Sequence, residues 1–167
     1  TLYVTFESEY VTQLNYENKS SWLRLYLDGD KAYSHQLGNG TYIPKGKHLL
    51  EIFNYSGSNY IEGLSIKNIC KDSDIKAMIE KFSDVEILEV KNDSIYPWAA
   101  VGQDSLCGKG TLSVTFESDW ITQLNCETSY NANFYINDVK VSKNTTISSG
   151  RHTLKIVGDG SNCYVKG

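Results

Sequence analysis

Residues 1–15 read TLYVTFESEYVTQLN, and residues 111–125 read TLSVTFESDWITQLN. The two stretches differ only at Tyr3/Ser113, Glu9/Asp119, Tyr10/Trp120 and Val11/Ile121, so the chain contains an internal repeat whose copies start 110 residues apart. That spacing exceeds a solenoid repeat and matches one small domain, which predicts two tandem modules in the 167 residues. Within each copy the apolar residues alternate, as Leu2, Val4 and Phe6 and again as Leu112, Val114 and Phe116. Alternation of period two marks a strand with one face in a core, so the repeated stretch is expected to be scaffold.

Matched blocks continue outward from it. Leu23-Arg24-Leu25-Tyr26-Leu27-Asp28-Gly29 aligns with Asn133-Phe134-Tyr135-Ile136-Asn137-Asp138 after a one-residue deletion, which predicts Leu25 and Leu27 inward and Tyr26 and Tyr135 outward. Pro44 to Ile52 aligns with Ser148 to Ile156, each a Gly turn feeding a strand, and Tyr60-Ile61-Glu62-Gly63 aligns with Tyr164-Val165-Lys166-Gly167. Twelve Tyr, 13 Gly and only 2 Pro and 1 Met suit an all-β chain with Gly-rich and Asn-rich turns.

These blocks predict a first β-sandwich module over 1–69, a junction over 70–92 and a second module over 93–167. In the junction, Asp72 or Ser73 is the expected cap of a short helix over 73–82, where Ile75, Met78, Ile79 and Phe82 form one apolar stripe. A strand is expected over Val85 to Val90, and Pro97 confines the stretch from Ile95 to Trp98 to a sheet edge or strand start. The second module has strand-like sequence ahead of its repeat that the first lacks, while Leu64 to Ile69 has no match after Gly167. Each module is thus expected to lack one strand, the first its initial one and the second its final one; either these strands lie outside this excerpt or a neighbouring copy supplies them. Unpaired sheet edges invite pairing with another chain.

A net charge of −4 with scattered Lys and Arg predicts no nucleic-acid partner, and no apolar run approaches a membrane span. A start at Thr1 rather than Met is expected of a processed chain or of an excerpt from a longer one. Cys70, Cys107, Cys126 and Cys163 allow three pairings. Cys126 aligns with Tyr16 and Cys163 with Asn59, so the two appear together where the first module has neither. This favours Cys126 with Cys163 and leaves Cys70 with Cys107; four reduced, buried thiols are the other reading. Sequons at Asn18, Asn39, Asn54, Asn92 and Asn144 lie near predicted turns and are candidate glycosylation sites.

Asp93 to Trp98, Leu112 to Phe116, Phe134 to Asp138 and Gly150 to Leu154 resemble the ordered signposts of jelly-roll, carbohydrate-binding-module-like β-sandwich repeats of large bacterial extracellular and surface proteins. The resemblance covers the second module and the first from its second strand. It implies two tandem jelly-roll-like sandwiches, an extracellular or cell-surface setting, and adhesion or glycan recognition.

The search for catalytic motifs returns none, and the cysteine spacings hold no zinc knuckle. Cys107 with His152 would make a nucleophile and base, but His48 occupies the matching place without a Cys, so each His is expected to be a partly buried ring bonded to its turn. Glu7, Glu9, Glu117 and Asp119 are expected on a solvated face. Asp28-Gly29-Asp30 offers two carboxylates for calcium that Asn137-Asp138 does not repeat, and no metal or cofactor is expected. Glycan stacking needs exposed aromatic faces, for which Trp22, Tyr26, Tyr135, Tyr10 and Trp120 are the candidates. The expected function is therefore a non-catalytic module pair for adhesion or carbohydrate binding. The alternative is a structural subunit of an extracellular fibre assembled by strand exchange between copies.

Overall fold

The structure is a computed structural model, and it describes residues 1–18, 22–32, 36–129, 131–158 and 163–167, Asn18 by its backbone alone. These residues form antiparallel β-sheets with one short helix, the all-β sandwich-like architecture that the alternating pattern predicts. Contacts divide them into two units, Thr1–Asn68 and Ile69–Gly167.

The first unit contains β1 (Leu2–Ser8), β2 (Val11–Asn18), β3 (Leu23–Leu27), β4 (Tyr42–Ile43), β5 (Gly46–Asn54) and β6 (Ile61–Cys70), whose last two residues pass into the second unit. They form two three-stranded sheets, in the orders β1-β5-β3 and β4-β2-β6. In the first sheet β5 sets Leu50 beside Val4 and Leu27, and Ile52 beside Leu2 and Leu25. Leu25, Leu50 and Ile52 cluster with Leu14, Tyr16 and Ile43 of the second sheet, and Leu64 and Ile66 of β6 pack against this core. At about 25 cal/mol per Å² of apolar surface removed from water, that burial holds the two sheets face to face.

The second unit opens with α1 (Asp72–Lys81). Its N-cap is Lys71, one position ahead of Asp72 and two ahead of Ser73, the expected caps, because the Asp74 carboxylate reaches back to accept from the Lys71 N–H at 2.7 Å. The strands follow as β7 (Glu86–Lys91), β8 (Ala99–Val101), β9 (Ser105–Gly108), β10 (Thr111–Ser118), β11 (Thr122–Gln123), β12 (Glu127–Thr128), β13 (Ala132–Ile136), β14 (Val139–Val141), β15 (Thr146–Ile147), β16 (Gly150–Gly158) and β17 (Cys163–Lys166). A five-stranded sheet runs β14-β13-β16-β10-β7, a four-stranded sheet β12-β17-β9-β8, and β11 pairs with β15. The pairing of β7 with β10 places residues 86–91 inside this sandwich.

The stretch from Ile95 to Trp98 is not a strand. It is an anchor ahead of β8, tied to the chain on either side of it. Asn92 donates to the Trp98 carbonyl at 2.7 Å and accepts from the Trp98 N–H at 2.9 Å, while the indole Nε1–H donates to the Gly110 carbonyl at 2.8 Å. Trp98 is fully buried, and a Cβ on Gly108 or Gly110 would collide with the indole or with the Tyr96 carbonyl. Glycine is required there for close approach.

Candidate functional site

The repeated strand meets different neighbours in its two copies. β1 and β10 pair with β5 and β16 in one register, with Phe6 opposite His48 and Phe116 opposite His152, and with Ser8 opposite Gly46 and Ser118 opposite Gly150. On its other side β10 carries β7, Val114 lying opposite Val90. Among the described residues β1 has no such partner. Leu112 is accordingly 0% exposed and Leu2 56% exposed, while Val114 and Phe116 are buried and Val4 and Phe6 only half-buried. An unpaired edge with apolar side chains along it is a strand-docking feature.

The five aromatic candidates divide between the units: Tyr10, Trp22 and Tyr26 in the first, Trp120 and Tyr135 in the second. Tyr26 does leave the core face as alternation predicts, yet it is only 3% exposed and offers no sugar-stacking surface. Its ring meets Phe53 edge-on at 5.9 Å, Lys31 lies 4.4 Å over Phe53, and the same ammonium pairs at 3.2 Å with the buried Glu51 carboxylate. Lys31 belongs to the connection from Leu27 to Ile43, five residues longer than that from Ile136 to Ile147, and further along it Leu37 N–H donates to the Leu25 carbonyl at 2.8 Å. Tyr135 has a short hairpin instead, stands opposite Lys140 and Lys155, and remains half-buried. Tyr10 is also half-buried, at the turn after β1.

Trp22 and Trp120 are exposed. Trp22 accepts a bond at 3.1 Å from the N–H of Tyr55, a second exposed aromatic that sequence reasoning missed because it falls just past a matched block. Asn54 organises the turn beside them, donating to Gly57 at 2.9 Å and accepting from Ser56 and Asn59. Trp120, 80% exposed, is followed by Ile121, 73% exposed, whereas the matching Val11 is 2% exposed.

His48 and His152 are turn clamps, as their position after glycine predicts. His48 Nδ1 faces an Asp28 carboxylate oxygen at 2.7 Å and Nε2 faces the Pro44 carbonyl at 2.9 Å, while the other Asp28 oxygen accepts from Leu49 N–H at 2.8 Å. In the second unit Asn137 replaces Asp28. Its amide nitrogen is 2.9 Å from His152 Nδ1, its oxygen accepts from Thr153 N–H at 3.0 Å, and His152 Nε2 faces Ser148 carbonyl at 3.0 Å. Each ring thus ties the turn before its own strand to the hairpin after the neighbouring one.

The expected disulfides are not formed: none of Cys70, Cys107, Cys126 and Cys163 is joined to another by a disulfide. The ladder sets no two of them opposite each other, since Cys107 faces Ala99 and Tyr164 and Cys163 faces Gly108, while the Cys70 sulfur accepts from Ala100 N–H at 3.4 Å. Burial raises the pKa of Cys70, Cys107 and Cys126 above the ordinary thiol value, although Ala100 opposes the shift at Cys70 and Lys143 at Cys126. Raised values keep these thiols protonated and poor nucleophiles at neutral pH.

Among the sequons, Asn39, Asn54 and Asn144 are exposed. Asn92 is buried with both side-chain polar atoms bonded to Trp98, so it cannot carry a glycan in the folded chain. The Asn18 side chain and the Lys19 and Ser20 of its sequon lie outside the described residues. Among the described residues no cluster of three His, Cys, Asp or Glu is placed to hold a metal, and no helix is long and apolar enough to cross a membrane. No protein-family model, curated protein or solved structure matches the chain.

Proposed function

We propose that this chain is a non-catalytic structural module pair, extracellular or on a cell surface, that associates by β-strand addition at the open edge of β1. The observation that carries the reading is the contrast between Leu2 and Leu112, one residue of one repeat exposed at an open sheet edge in the first unit and buried beside a paired edge in the second. Edges of this kind are normally blunted by charge or proline, and Leu2 and Tyr3 are both apolar and exposed. The setting rests on the resemblance to surface-protein repeats and on the exposed sequons Asn39, Asn54 and Asn144. Light scattering over a concentration series is the test. Association that Leu2→Lys abolishes while the circular dichroism spectrum is kept supports the reading, and a monomer at every concentration overturns it.

A second reading, glycan recognition in adhesion, is favoured by the two exposed aromatics Trp22 and Tyr55, whose backbones are hydrogen-bonded to each other next to the Asn54 turn. Binding on a glycan array that disappears in Trp22→Ala plus Tyr55→Ala would support it. Absence of binding to any glycan would remove it.

A further inference from the structure

His48 and His152 clamp matching turns, but they do so in different states of protonation. His48 faces two acceptors. Its Nδ1 lies 2.7 Å from an Asp28 carboxylate oxygen and its Nε2 lies 2.9 Å from the Pro44 carbonyl, so both bonds form only when each nitrogen carries a proton. The ring of the complete clamp is therefore the imidazolium. His152 faces one donor and one acceptor. Its Nε2 donates to the Ser148 carbonyl at 3.0 Å, and its Nδ1 lies 2.9 Å from the Asn137 amide nitrogen. The orientation of that amide is set by the backbone, because its oxygen accepts from Thr153 N–H at 3.0 Å. Nδ1 must then offer its lone pair, and the complete clamp holds the neutral ring.

Most of the surroundings are shared. Each ring lies 5.7 Å from a phenylalanine of the neighbouring strand, Phe6 on β1 or Phe116 on β10. Next along each ladder a cation stands opposite a glutamate, Lys47 opposite Glu7 and Arg151 opposite Glu117. Asp28 and Asn137 hold the same left-handed position, with φ of 53° and 48°. Of the charges that differ, Asp30 accepts from Ala32 N–H at 3.2 Å, Asp138 pairs with Lys155, and Lys45 takes the place of Ser149 in the turn. At the rings themselves the difference is the Asp28 carboxylate against the Asn137 amide.

We infer that the two clamps are oppositely set pH-sensitive latches, the first unit's closed by protonation of His48 and the second unit's opened by protonation of His152. In acid the His48 imidazolium ties the Pro44 turn to the hairpin after β3. When the ring gives up a proton, a bare nitrogen is set against an oxygen and one of the two bonds is lost. At His152 the sign is reversed. A proton gained at Nδ1 meets the Asn137 N–H group, so that clamp is complete only while the ring is neutral. The latches act at the turn end of each sheet and do not depend on what pairs with β1.

The test uses the full chain with His35→Gln, which leaves two histidine ring signals. Long-range proton–nitrogen correlation spectra at a pH of about 6.5, the ordinary histidine value, should show His48 protonated on both ring nitrogens and His152 on Nε2 alone. Amide exchange corrected for its intrinsic pH dependence reads the clamps at Leu49 and Thr153, whose N–H groups bond to Asp28 and Asn137. Between pH values of about 5 and about 8, protection should fall at least about threefold at Leu49 and rise at least about threefold at Thr153. Asp28→Asn should reverse the response at Leu49, and Asn137→Asp that at Thr153. Rings in the same protonation state, responses of one sign at both amides, or responses that survive these substitutions overturn the latches. Should Asp28→Asn fail to fold, Asn137→Asp decides alone, since Thr153 must then respond as Leu49 does in the unsubstituted chain.

Discussion

Leu2, Val4 and Phe6 in the first unit and Leu112, Val114 and Phe116 in the second have the same identities, the same alternation and the same register against a Gly-led strand. They differ in burial because β10 has a second neighbour and β1 has none among the described residues. Strand identity is thus a local property of this sequence, while the depth at which a strand is buried is set by residues supplied from elsewhere. The reverse contrast holds on the opposite sheet, where the first unit has its closing strand and the second has an open cleft.

The strongest way to break the comparison is to truncate the matched leucine in each copy. Leu112→Ala should cost about 3 kcal/mol of folding stability, the lost transfer energy plus a cavity, whereas Leu2→Ala should cost less than about 0.5 kcal/mol. Equal shifts in denaturant midpoint would show that β1 is covered in solution.

A somewhat smaller effect is expected from the anchor that only the second unit has. Asn92→Ala removes both side-chain bonds to Trp98 and leaves a buried N–H and C=O unpartnered, at a cost of about 2 kcal/mol. Hydrogen exchange should quicken across β8 to β10 and remain unchanged in β2 and β5. Uniform quickening would mean that the anchor is not local.

The smallest effect separates the units by pH. All four cysteines lie in the second unit. For Cys70, Cys107 and Cys126 the folded pKa is raised by burial, so the folded chain holds those protons more tightly than the unfolded one. Their contribution is fully present below the unfolded thiol value of about 8.5 and is lost as pH rises through the raised folded value. Amides of the second unit should therefore lose protection in that alkaline range, and Cys107→Ala should lessen the loss. A loss confined to the first unit would contradict the assignment.

Much of this organisation was legible in residue order. The two copies of the strand, the Gly turns and the stripe of α1 depend on periods of two and of three to four, which are local. The histidine clamps were legible too, since a ring two residues past a turn glycine reaches back to that turn. Tyr26 was not: alternation directs it out of the core, but the longer connection after β3 brings Lys31 over the ring's neighbour Phe53 and onto Glu51 of β5. The buried state of Asn92 was equally hidden, because a sequon carries no sign that a tryptophan six residues later will take both of its polar atoms.

The sequence by itself determined that the chain is a doubled all-β scaffold, because strand periodicity and turn chemistry act over a few residues and survive in both copies. Only the tertiary structure decided which copy of each residue is buried, that no disulfide joins the four thiols, and where a sheet edge or cleft is open. Those properties depend on whether a second strand arrives from a distant part of a chain, and neither copy of the repeat encodes its neighbour.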